Sequence, residues 1–190
     1  MADQLAGQSP AAWLDAMGDV TRQRRLLEIN ELEVLAGWAA INSTDDENDA
    51  AFIKHGLKKH LGGEGTPWVM EHCLGEPAIV RRVGIMSIIN ATADVLDLQH
   101  RLPKVWAATQ QGVVDVWLPR KVAKLSRHLS VEHIGLVDEA IAPLLGHEGA
   151  ARILEITAAK IIEADPVTHQ ERGEAEKKRR YVGLGRTDEF

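Results

Sequence analysis

The sequence predicts an all-α protein, a compact bundle of about seven helices with a loop-rich insertion near residues 43–76. Three observations predict it. Apolar residues recur at spacings of three and four over several long stretches. Ser-Pro and Asp-Pro pairs stand where helices should begin. No stretch shows the strict apolar-polar alternation of a half-buried strand. With 190 residues, 45% of them hydrophobic, the chain can bury a core without staples, and its lone cysteine, Cys73, excludes an internal disulfide framework. We therefore expect one helical domain over residues 1–180 and a C-terminal tail over 181–190.

Taken in order, Ser9-Pro10 reads as an N-cap followed by proline at the first helical position. A second helix is expected over about residues 21–41, where Ile29, Leu32, Ala36 and Ala39 form one stripe. The insertion then runs from the acidic "STDDEND" through the basic "KHGLKKHLGG" to "EGTPW". Pro77, Pro103 and Pro119 stand where further helices can begin. Ile88, Ala91, Val95, Leu98 and Leu102 make the next stripe, and Ile134, Val137, Ile141 and Leu144 another after Ser130, with Pro143 expected to kink or shorten it. A helix over about 148–164 turns Leu154, Ala158 and Ile161 inward, and the highly charged 166–180 reads as an exposed helix.

The net charge of −6 is unevenly spread. Residues 28–49 hold seven acids and no Lys or Arg, whereas 101–128 hold six basic residues against the single Asp115. The N-terminus lacks the basic and apolar regions of a secretory signal. The longest apolar runs fall far short of the roughly 18 to 20 residues a membrane span needs, so a cytoplasmic protein with no membrane partner is expected.

The stretch "DVLDLQHRLPKVWAA" raises the sharpest chemical question. On a helix, Asp94, Asp97 and His100 lie along one face, as in a metal or acid/base site. Yet Asp97 and Arg101 form an i, i+4 pair in the favourable acid-first order, and His100 and Arg101 suit the negative end of a helix that Pro103 terminates. The structural reading accounts for every charge, so no metal or other cofactor is expected. His55, His60, His72 and Cys73 match no zinc spacing. Gly62, Gly63 and Gly65 lack the Gly-Lys-Ser/Thr ending of a phosphate loop, and Gly183-Leu184-Gly185 lacks the third glycine of a dinucleotide turn.

Two features address nucleic acid. Val83-Gly84-Ile85-Met86-Ser87 resembles the turn of a helix-turn-helix with Ser87 as cap, but the following helix carries Asn90, Asp94 and Asp97, a poor match to a phosphate-facing element. The helix after Pro119 is a better candidate. At about 100° per residue, Arg120, Lys121, Lys124, Arg127 and His128 fill one arc, and Val122, Leu125 and Leu129 the opposite one. Trp106 and Trp117 are close enough in sequence to offer stacking surfaces, although tryptophans more often anchor cores.

The segment "GIMSIINATADVLDLQHRLPKVWAATQQGVVDVWLPRKVAKLSRHLS", and with it "GRTDEF" at the end, resembles the actinobacterial 13E12-repeat family (domain of unknown function 222). The likeness runs from about residue 26 to 190. It implies a helical domain of the kind found upstream of an HNH nuclease module. This chain has one Cys, no CxxC pair and no ββα segment, so the nuclease activity of such relatives does not transfer. The expectation is a non-catalytic module contacting DNA or another nucleic-acid backbone through the basic helix, alongside a nuclease-bearing segment or chain. The alternative is a protein-partner or oligomerisation module, with the tryptophans and the acidic 28–49 region as contacts.

Overall fold

The computed structural model describes residues 9–44 and 57–166. His55, the expected 166–180 helix beyond Pro166 and the 181–190 tail lie outside them. Among the described residues there are seven α-helices, little strand and one continuous apolar core, so the chain is all-α.

Helix α1 spans Pro10–Ile41, with the Ser9 hydroxyl accepting from the Ala12 amide at 3.3 Å and proline at N1. The two helices expected here are one. Gly18 costs a helix interior only about 1 kcal/mol relative to Ala, too little to break a run this long. Only the second half of α1 is buried, through Ile29, Leu32, Leu35, Ala36 and Ala39.

The described part of the loop-rich insertion also carries short strands. Strands β1 (Ser43–Thr44), β2 (Lys58–His60) and β3 (Trp68–Met70) form an antiparallel sheet in the order β1-β3-β2. Strands of two or three residues are too short to show alternation, which is why the sequence hides them. A 3-10 turn, Glu71–Leu74, follows. Its Cys73 carbonyl accepts from the Trp38 indole at 2.8 Å, which ties the insertion to α1.

Helix α2 (Gly75–Arg81) ends on Arg82, whose φ of 52° is left-handed, with the Val83 amide returning to the Ala78 carbonyl. Helix α3 (Ile85–His100) is capped at Gly84. Ser87, expected as the cap, lies inside the first turn and donates its amide to the Gly84 carbonyl at 2.9 Å. Every residue from Ala91 to Leu98 is buried, since α1, α2, α4 and α5 surround this helix. The helix is thus committed to the core over Ala91 to Leu98, while the turn at 83–87 before it is exposed.

Around α3 stand α4 (Pro103–Gln110), α5 (Trp117–Ser126), α6 (Val131–Ile141) and α7 (Ala150–Ala164). Pro103 is at N1 of α4, whereas Pro77 and Pro119 sit at the third positions of α2 and α5, still within the turn whose amides need no helical partner. As expected of Pro143, α6 gives way to a 3-10 turn at Ala142–Leu144. On α7 the buried face is Ile153, Thr157, Ile161 and Ala164, and Ala158 is exposed. A threonine can replace an apolar residue there because its hydroxyl donates to the Ile153 carbonyl at 2.8 Å.

Candidate functional site

The basic helix expected after Pro119 is α5, but its cations do not share one solvated arc. Two of them turn toward α3. Arg120 Nε donates to Asp94 Oδ2 at 2.9 Å. Arg127, just past the end of α5, donates from Nη2 to Asp94 Oδ1 at 2.8 Å and from Nε to Asp97 Oδ2 at 2.5 Å. The reason is positional: Arg120 and Arg127 border the buried stripe of Leu118, Val122, Ala123 and Ser126, beside which the α3 carboxylates lie. Lys121 and Lys124 remain exposed, as does His128.

Asp94 and Asp97 are therefore the centre of a buried ion-pair network. Asp97 Oδ1 also accepts from Arg101 Nη1 at 3.2 Å and from the Gly63 amide at 2.7 Å. Arg101, itself buried, donates Nη1 to the Arg127 carbonyl at 2.9 Å and Nη2 to the Leu129 carbonyl, covering the exit of α5. The i, i+4 pairing of Asp97 with Arg101 is present as the sequence suggested, and His100 points away to solvent. Each oxygen of the two carboxylates is thus already engaged by at least one guanidinium.

Gly63 is the residue that spacing rules did not single out correctly. A Cβ at this position would lie 1.8 Å from Arg101 Nη1 and 2.4 Å from the Arg127 carbonyl oxygen. The missing side chain lets the backbone reach Asp97. Thr66 locks the loop by donating its hydroxyl to the Gly63 carbonyl at 2.8 Å.

The remaining ligand-type residues do not converge. Cys73 is buried and its thiol is pushed up by that burial, His72 is exposed on the 3-10 turn, and the His60 ring lies against Trp68 with centroids 5.0 Å apart. Among the described residues no group of three His, Cys, Asp or Glu is placed to hold a metal ion. None of the described helices is long and apolar enough to cross a membrane. Trp106 is buried in the core, and Trp117 is half exposed at the start of α5.

Two carboxylates missed by the sequence reading act as clamps. Asp138 on α6 accepts from the Lys104 and Val105 amides at 3.1 and 2.8 Å, capping α4 from another helix. Asp115 receives Arg25 Nε at 3.0 Å and also pairs with Arg24, and these guanidiniums, Arg25 foremost, hold its carboxyl below the ordinary value.

An uncommitted apolar feature lies on α1. Trp13, Val20, Leu27, Val34 and Ile41 follow one another at seven-residue intervals and are 37, 47, 66, 74 and 76% exposed. Heptad spacing over four intervals is a signal the sequence offered, masked by the competing stripe that packs Ile29 to Ala39 inward. Near its end the exposed stripe enters an apolar groove of about 260 Å³, floored by Val34, Leu35 and Trp38 and walled by Pro77 and Val80. No family model, curated protein or solved structure matches the chain.

Proposed function

We propose that this chain is a non-catalytic helical module whose function is to bind protein through α1. The observation that carries the reading is the exposed heptad stripe on a helix whose opposite face is committed to the core from Ile29 to Ala39. An apolar surface of this regularity, rimmed by charged residues, is what helix-to-helix recognition uses. Asp94 and Asp97, two of the three residues weighed as a metal or acid/base site, are engaged by arginines, which supports the non-catalytic part. Affinity capture from an extract of the source cells, with the parent and with Val20→Asp/Val34→Asp, tests it. Partners held by the parent and lost by the folded variant are expected, and an identical set on both would overturn it.

A second reading keeps nucleic-acid contact, now resting on the exposed Lys121 and Lys124 of α5. Each phosphate neutralised contributes about 0.9 to the logarithmic salt slope on duplex DNA. Lys121→Gln/Lys124→Gln should therefore flatten that slope if α5 meets a backbone, and an unchanged slope rejects this reading.

A further inference from the structure

We infer that the groove between α1 and α2 receives an amphipathic helix of another protein, one whose apolar face has a cation at one end and a carboxylate at the other; the inference rests on the protein-binding reading above and adds the chemistry of the partner. The groove has an apolar middle and charged ends. Val34, Leu35, Trp38, Pro77 and Val80 line the middle. Glu76 borders it near the start of α2, and at the other end Arg81 borders it, with Arg82 next in the chain.

Two of these charges are open to a partner. Arg81 and Glu31, both at the groove, already form an ion pair with each other. Glu76 and Arg82 are exposed, and their side chains make no hydrogen bond or ion pair among the described residues. Six residues of helix separate them by about 9 Å along the axis. A helix lying along α2 therefore meets an unpaired acid and an unpaired base about six of its own residues apart, and complementarity asks it for the opposite charges at that spacing. Between them its apolar side chains cover Val34 and Val80, which are 74 and 81% exposed.

The backbone of Arg82 points the same way. Its φ of 52° is the only positive value at a non-glycine among the described residues, and it falls at a helix end where glycine adopts that conformation without strain. The guanidinium has no partner among the described residues, so the fold does not account for an arginine there. A contact outside the chain does.

Selection of helical peptides from a displayed random library on the full chain tests this, with the Val80→Asp chain as counter-selection. Enriched sequences should pair a Lys or Arg with an Asp or Glu about six residues away, with apolar residues between them at intervals of three and four. One such peptide should bind Arg82→Glu about tenfold more weakly than the parent, and exchanging its carboxylate for Lys should recover the loss on that variant. Arg82→Gly should also bind more weakly without melting at a lower temperature, because glycine suits the left-handed backbone. Enriched peptides without this charge pattern, or retained equally by Val80→Asp, would overturn the inference. So would a parent whose mass falls from two chains to one in Val80→Asp, since a second copy would then hold the groove. Capture from extract that still depended on Val20 and Val34 would leave the protein-binding reading standing in either case; capture indifferent to both would end that reading and this inference with it.

Discussion

Arg127 Nε and Asp97 Oδ2 stand 2.5 Å apart, and through them the end of α5 is joined to the most enclosed helix of the bundle. Asp97 is 1% exposed, so its charge has no recourse to water. Ion pairs of this kind add little over apolar packing when intact and are costly to break from one side, because the abandoned charges stay buried. We expect Asp97→Ala to lose about 3–5 kcal/mol. Urea denaturation should show this as a lowered midpoint at constant slope, and a midpoint near the parent's would mean that the network relaxes freely.

Gly63→Ala should destabilise by about 1–3 kcal/mol, the range for forcing volume into packed surroundings, since its methyl group would overlap Arg101 and the Arg127 carbonyl. Gly18→Ala is the control. That site is open and helical, so thermal unfolding should shift the other way by the equivalent of about 0.5–1 kcal/mol.

Asp138→Ala should cost about 1–2 kcal/mol by leaving two amides at the start of α4 without an acceptor. The change is read locally by hydrogen exchange, with the Lys104 and Val105 amides losing protection before the rest of the helix. Asp138→Asn keeps one acceptor oxygen and should recover part of the loss.

Asp115 gives a pH dependence of defined sign. Its folded carboxyl titrates below the ordinary value of about 3.9, so it stabilises the fold above that pH and the contribution fades as pH falls through the lower folded value. With the side chain about one-third exposed, the effect should stay under about 1 kcal/mol. The stability gap between parent and Asp115→Asn should be constant near neutrality and close in strong acid. A gap that widened in acid would contradict the assignment.

The core stripes of α1, α3 and α6 were legible because side-chain periodicity there answers to a single buried face; Ile29, Val95 and Val137 lie where spacing puts them. The partners of Arg120 and Arg127 were not, because a helical arc says which side a residue is on and nothing about the carboxylate across the gap. Asp138 was hidden for the same reason, its role lying 33 and 34 positions away in the chain. The α1 stripe is hard to read because two faces of one helix carry apolar residues, and the buried one by itself satisfies the helical period.

The reach of Asp97 also bears on the order in which the molecule comes apart. Its partners Gly63 and Arg127 are 34 and 30 residues distant in opposite directions, so neither contact can close until α3, α5 and the insertion have docked. Contacts completed after the main barrier act on escape from the native state and leave the climb toward it unchanged. We expect the network to close late and so to act as a kinetic latch. Loosening it should speed unfolding in a stopped-flow series while refolding keeps the parent's rate, and the native lifetime of the module should follow the grip of Arg127 more closely than the size of the core.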